Sequence, residues 1–279
     1  MDASPRTGAE GSASDGSTAS QLPAPKGVPS ANLANLKPPT IEIGILTKGK
    51  PTLSMVLSSL LLQEARDIRI HIVDTSDTPV VNRDDVRFAL RLAFDRDIAC
   101  GYEYSRERER AFSVGRLRLL EALQGPHICL MDDDVVMASS TIARLLPAIQ
   151  SNPVYGYIAP YCMNGLHARV FENGQPYYSP GGVIYQDAPL RNILLSYYTT
   201  TVDVLDRQPS DEKVWEIAFL TELFEFIGRK RLVQPDNISY HLDYQEVPNW
   251  ELSEAQVIRR SKLKARELAT EHLLLREID

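Results

Sequence analysis

Between residues 41 and 161 two kinds of apolar pattern take turns along the chain. Ile41-Glu42-Ile43-Gly44-Ile45-Leu46 follows two prolines and is nearly all apolar, which predicts a buried strand. Thr47-Lys48-Gly49-Lys50-Pro51 breaks the run, and Thr52 is the expected cap of a helix. Leu53, Val56, Leu57, Leu60 and Leu61 then recur at helical spacing. Residues 68–74 alternate and predict a second strand, closed by the turn Thr75-Ser76-Asp77-Thr78-Pro79. A helix is expected over 83–94, a strand over 99–104 and a helix over 113–123, stopped by Gly125-Pro126. His127-Ile128-Cys129-Leu130-Met131 is a buried-type strand that runs directly into Asp132-Asp133-Asp134. Such alternation predicts an α/β fold: a mainly parallel sheet flanked by helices on both faces. Ligands of these sheets bind at the carboxyl ends of the strands. Thr47, Asp74 and Asp132 to Asp134 all fall at such ends.

The second half is less regular. Residues 155–161 read as a strand, and 161–190 are rich in Gly, Pro, Asn and Tyr. Asn173-Gly174 is a hairpin turn signal, and Tyr177-Tyr178 suit either sugar stacking or ordinary loop packing. A long helix is expected over 211–226, with Val214, Ile217, Ala218, Leu220 and Leu223 apolar and Gly228 ending it. A short strand begins at Leu232-Val233. A further strand-like stretch carries His241 and, two residues on, Asp243. The last helix mixes Arg259, Arg260, Lys262, Lys264 and Arg266 with apolar positions. It reads as a solvated helix packing through Val257, Leu268 and Leu275.

Composition narrows the class. Residues 1–36 are dominated by Gly, Ala, Ser, Thr and Pro and carry no aromatic residue. They cannot bury enough apolar surface to offset their ordering entropy and are read as a disordered tail. They show neither the apolar stretch of a secretory signal nor the acid-poor, Arg-rich character of a transit peptide. The net charge of −7 argues against a nucleic-acid partner. Three scattered cysteines make neither a disulfide framework nor a zinc site, which implies a reducing, cytoplasmic setting. No apolar run has the length of a transmembrane segment.

The acidic triplet is the strongest chemical signal. Adjacent carboxylates repel, and a divalent cation would compensate them. On an extended segment Asp132 and Asp134 point to the same side, and hard oxygen ligands suit Mn²⁺ or Mg²⁺. The same residues also fit an acidic turn before the helix that opens at Ala138-Ser139-Ser140-Thr141.

Taken in order, Thr47-Lys48-Gly49-Lys50, Leu53, Leu57, Ser59, Leu60, Gln63, Ile72-Val73-Asp74-Thr75-Ser76-Asp77, Gly115-Arg116 and Asp132-Asp133-Asp134 resemble a glycosyltransferase of the GT-A fold, closest to the family 2 type. The resemblance implies a nucleotide-diphospho-sugar transferase-like fold spanning residues 37–279 as one domain. A nucleotide-sugar half would cover about 40–137, an acceptor half about 138–250 and a C-terminal helix about 251–279. It implies a metal-dependent enzyme that moves a sugar from a nucleotide-diphosphate donor to an acceptor, whether small molecule, glycan or protein.

It also implies roles for individual residues. Thr47 and Lys48 would contact the nucleotide, Asp74 its base, Arg116 the diphosphate or ribose, and Asp133 the nucleotide. Asp132 would touch ribose or metal, and Asp134 would ligate the metal. Gly181 and Gly182 would allow close approach to the donor sugar. Members often carry a Glu-Asp pair before the helix-ending glycine, one carboxylate being the catalytic base. Here Ile217 follows Glu216, so Glu216 and Asp211 are the candidates, with Glu212 and Glu222 as rivals. A late histidine often completes the metal site. His241 matches it, with Asp243 as the fallback. Two other classes stay open: a catalytically silent nucleotide-binding or scaffold protein of the same fold, and a haloacid dehalogenase-type phosphatase. The phosphatase class would carry its acidic string on the first strand.

Overall fold

A computed structural model describes residues 40–107, 110–163, 171–172, 175–176, 181–200, 202–203, 213–214, 216–242 and 254–274. The expectations for residues 1–36, Asn173-Gly174, Tyr177-Tyr178, Asp211, Glu212, Asp243 and Leu275 lie outside these residues. The first half follows the predicted alternation closely. The order is β1 (Ile41–Thr47), α1 (Leu53–Leu61), β2 (Ile68–Asp74), α2 (Asp84–Asp95), β3 (Ala99–Tyr104), α3 (Ala111–Ala122) and β4 (His127–Asp132). The second half continues with β5 (Val135–Met137), α4 (Thr141–Gln150), β6 (Tyr155–Met163), β7 (Phe171–Glu172), β8 (Gln175–Pro176), β9 (Val183–Tyr185) and α5 (Ala188–Thr200). It ends with β10 (Val202–Asp203), β11 (Lys213–Val214), α6 (Glu216–Phe226), β12 (Lys230–His241) and α7 (Glu254–Leu274).

Among the described residues, eight strands form one sheet in the order β3-β2-β1-β4-β9-β6-β12-β5. β1 pairs in parallel with both β2 and β4, with Thr47 opposite Asp74 and Leu46 opposite Asp132. β9 then pairs antiparallel with both β4 and β6, and β5 antiparallel with β12. The mainly parallel sheet expected is therefore parallel from β3 to β4 and mixed beyond. β7 and β8 pair antiparallel, with Glu172 opposite Gln175.

Every residue of β1 is buried, which explains its unbroken apolar run. Its side chains still alternate between two cores. Ile41, Ile43 and Ile45 join one with residues of α1, α2 and α4. Leu46 joins the other with residues of α3, α5, α6 and α7. Gly44 faces this second core, where a Cβ would stand 2.8 Å from Leu123. Glu42, buried in the same strand, accepts hydrogen bonds from Arg69 at 2.7 Å and the Gly125 amide at 2.6 Å.

Several expectations change. Thr52 does not cap α1 with its side chain; its hydroxyl donates instead to the carbonyl of Asp133 at 2.8 Å. The helix expected over 211–226 begins at Glu216, because Lys213–Val214 is drawn into parallel pairing with Val202–Asp203. The two strand pieces expected at 232–233 and around 241 belong to one long strand. Its register against β6 shifts between Gln234 and Ile238, around Pro235, which has no amide to give to the ladder. β5, β9 and α5 have no counterpart in the sequence reading.

Candidate active site at the carboxyl ends of the parallel strands

The chain leaves β1 for β2 on one side and later returns to β4 on the other. The carboxyl ends of β1 and β4 therefore flank a crevice at the point where the strand order reverses. Thr47 ends β1, and Asp132 ends β4 beside it. Asp133 and Asp134 form the turn to β5. That turn removes the extended geometry on which a shared face for Asp132 and Asp134 rested.

The three carboxylates separate, each with its own partner. Asp132 accepts from Arg116 at 2.6 Å and keeps 38% of its side chain exposed, the most accessible of the three. Asp133 is buried and accepts from the Thr47 hydroxyl at 2.5 Å. Burial, partly offset by that hydrogen bond, pushes its carboxyl up to about 6. Asp134 is buried and accepts from Lys50 Nζ at 2.6 Å through Oδ2. Its Oδ1 has no hydrogen-bond partner among the described residues and stands 3.4 Å from His241 Nε2. Burial and the charge of Asp132 raise its proton affinity, while Lys50 and His241 oppose them.

Pairing in the sheet explains why His241 is there. The residue ends β12 opposite Val135 of β5, and the next amide, of Leu242, donates to the Asp134 carbonyl at 2.8 Å. A residue distant in sequence is thus brought beside the acidic turn by strand register.

Two other expected nucleotide contacts hold the loops themselves. The Thr47 hydroxyl also accepts from the Gly49 amide at 2.9 Å. Asp74 is fully buried. It accepts from the Ser76 amide at 2.8 Å, the Val80 amide at 2.7 Å and the Tyr102 hydroxyl at 2.6 Å. A nucleotide base would have to compete with these donors. Lys48 is exposed at the end of β1.

Arg116 is buried on α3. It bonds Asp132, donates to the Met131 carbonyl at 3.1 Å and stacks over Phe112 with 5.0 Å to the ring centre. Its Nε lies 3.4 Å from Glu216 Oε1, which also accepts from the Tyr198 hydroxyl. Glu216 opens α6, where the helix dipole favours a carboxylate. Burial raises its proton affinity against the pull of Arg116. Tyr198, on α5, is raised as well, by burial and by the charge of Glu216. Sequence reasoning missed Tyr198 because it missed α5. The signal was present in Asp187-Ala188-Pro189-Leu190: a capping Asp with Pro in the first turn, and the Leu190 amide does donate to Asp187 Oδ1 at 3.1 Å.

The remaining candidates sit apart from this crevice or serve the core. Glu222 is buried between α6 and α7, bonded to Arg266 at 2.6 Å with Lys262 at 3.8 Å. A Cβ on Gly182 would fall 2.3 Å from the ring of Tyr157, and Gly181 has a φ of +79°. Both glycines are thus required by the protein's own packing and turn.

A family model described as glycosyl transferase family 2 matches residues 43–181. That span carries most of β1, the acidic turn and Gly181 in one match. Residues 43–181 are a family 2 glycosyltransferase domain. The chain has the GT-A glycosyltransferase fold. It resembles the mannosyltransferase PcManGT from Pyrobaculum calidifontis, solved in complex with GDP-Man and Mn²⁺, at a TM-score of 0.54 and 14% identity. That alignment covers 88% of this chain and 78% of the other. It also resembles TarS residues 1–349 from S. aureus, solved with UDP at a TM-score of 0.52 and with UDP-GlcNAc at 0.51. Both alignments have 12% identity and cover 84% of this chain, with 70% and 71% of the other. No curated protein matches the chain. Among the described residues of this glycosyltransferase, no helix is long and apolar enough to cross a membrane.

Proposed function

We propose that this glycosyltransferase takes its sugar from a nucleoside-diphosphate donor bound in the crevice between β1 and β4. The acceptor would be a small molecule, a glycan or a protein, and the donor's diphosphate would be bound with a divalent metal. One observation carries the metal reading. Among the described residues Asp134 Oδ1 is buried without a hydrogen-bond partner, and it faces His241 Nε2 at 3.4 Å. A carboxylate oxygen and an imidazole nitrogen suit Mn²⁺ well and Mg²⁺ less well.

The fit is partial. Among the described residues no group of three His, Cys, Asp or Glu side chains is arranged to hold a metal. Phosphate oxygens and water would complete the coordination, as hard cations in nucleotide sites usually require. Asp132, accessible at the end of β4 directly before the turn, is the third candidate protein group. The structures it resembles support this reading: PcManGT is described with GDP-Man and Mn²⁺ and TarS with UDP-GlcNAc.

A nucleoside diphosphate leaves readily only when its developing charge is neutralised, which a bound divalent cation supplies. The chain's own residues would do the rest. Thr47 and Asp133 hold the β1 and β4 ends together. Asp74 fixes the turn after β2, where the base would lie. Glu216 is the candidate proton acceptor for an acceptor hydroxyl, its basicity raised by burial.

A thermal-shift panel of UDP, GDP, CDP, ADP and dTDP, each with Mn²⁺ and with EDTA, tests the donor site. Binding to the native state raises the melting temperature by mass action. One nucleotide giving a Mn²⁺-dependent shift, followed by release of that nucleotide from its sugar conjugate with an acceptor, is the expected result. No shift from any of the five would overturn the assignment. A shift without turnover toward any acceptor would leave a nucleotide-binding role.

A further inference from the structure

From the geometry of the acidic turn we infer that Lys50 is a resident cation at the metal subsite. It neutralises Asp134 when no donor is bound and moves to the donor's diphosphate when metal and donor enter together. The inference rests on the proposed metal-dependent donor site and deepens it.

Lys50 is held in place from several directions. It follows Gly49, whose φ is +89° and where a Cβ would stand 2.9 Å from Ser76. Arg83, just before α2, donates to the carbonyls of Gly49 at 3.2 Å, Lys50 at 2.8 Å and Pro51 at 3.3 Å. The backbone at 49–51 is therefore clamped, and the lysine stem spans from it to the acidic turn. Its ammonium lies 2.6 Å from Asp134 Oδ2. Asp134 is 3% exposed at the side chain and Lys50 27%. The buried partner is thus the carboxylate, while the cation has a path to solvent.

Charge logic then dictates an exchange. A buried carboxylate without a cation is costly, so Asp134 needs a partner in the donor-free state. A divalent ion bound at Asp134 repels an ammonium at this distance. Lysine is suited to leave, being a point charge on a flexible stem with no planar fork to hold it. An arriving diphosphate supplies the anion that the displaced ammonium needs. Metal alone would therefore bind weakly, and metal with diphosphate well. The device keeps the site from loading with metal before the donor is present.

The test is a pair of titrations on the full chain, with Mn²⁺ alone followed by electron paramagnetic resonance, and with the nucleoside diphosphate chosen by the thermal-shift panel at saturating Mn²⁺. Lys50→Gln is expected to tighten Mn²⁺ binding by about tenfold or more while weakening diphosphate binding. Lys50→Arg, which keeps the charge, is expected to keep Mn²⁺ binding near the wild-type value. A merely structural lysine would not move the two affinities in opposite directions. Unchanged or weaker Mn²⁺ binding in Lys50→Gln overturns the inference. The double variant Lys50→Gln/Asp134→Asn separates the two readings. If it binds Mn²⁺ as well as Lys50→Gln does, the metal assignment to Asp134 fails, and the role of Lys50 falls with it.

Discussion

The crevice holds two buried carboxylates with a cation each, and the two pairs are built differently. Asp134 meets Lys50, which comes from a loop and is partly exposed. Glu216 meets Arg116, which comes from the middle of α3 and is 3% exposed. Lys50 touches the acidic turn with its flexible tip. Arg116 ties together the Asp132 carboxylate, the Met131 carbonyl and Glu216 while stacked on Phe112. One cation can be exchanged and the other cannot without disturbing what surrounds it. On the proposed reading, the end carrying Lys50 trades charges and the end carrying Glu216 holds geometry.

The largest expected effect comes from breaking the fixed pair. Arg116→Met leaves the Glu216 carboxylate buried without its cation. Removing one partner of a buried ion pair costs about 3–5 kcal/mol, so urea unfolding should show a loss of that order. A loss below about 1 kcal/mol would mean that Glu216 is protonated and satisfied by Tyr198 alone. The same experiment on the exchangeable pair sharpens the contrast. Lys50→Gln should change stability less, because the Lys50 ammonium is 27% exposed and water already screens part of its attraction to Asp134.

Next in size is the loss of Asp134 itself. Asp134→Asn should weaken metal-dependent nucleotide binding by about 100-fold, since the loss of a ligand exceeds the 10-fold to 100-fold usual for its supports. The fold should survive, because an amide still accepts from Lys50 and the turn remains held by Thr52 and Leu242. Isothermal titration with Mn²⁺ and the selected nucleotide measures it. Retained affinity with an intact melting transition would move the metal away from this turn.

How legible these two ends were in the sequence differs for a physical reason. The donor end is made from β1, β2 and β4, whose apolar runs and terminal polar residues lie close together in the chain. Thr47, Asp74 and the acidic triplet could be read directly from that punctuation. Their division of labour could not, because a turn at Asp133 and Asp134 replaced the expected extended segment. His241 was recoverable only as part of a resemblance, since its position depends on the register of β12 against β5. The other end relies on β9, a strand of three residues, and on α5, whose Ser-Tyr-Tyr-Thr-Thr ending reads as strand-like. Tyr198 therefore stayed invisible, and with it the environment of Glu216. Lys50 was seen as a loop residue, because no periodicity reports where a flexible side chain comes to rest.

The smallest effect tests which force governs Glu216. Burial raises its proton affinity and Arg116 lowers it, with burial the larger. A carboxylate whose folded pKa lies above its unfolded value binds the proton more tightly in the native state. Its contribution to stability is then fully present below the unfolded value and is lost as pH rises through the folded one. The stability difference between wild type and Glu216→Gln should accordingly turn against the wild type as pH is raised from about 4 toward 7, by no more than about 1.4 kcal/mol per pH unit, the limit for one proton. Unfolding of both proteins across that range gives the slope. The opposite slope would show Arg116 prevailing over burial, and Glu216 would then be a permanently charged anchor for Arg116. The observed sign thus decides whether this end of the site can accept a proton or only hold its shape.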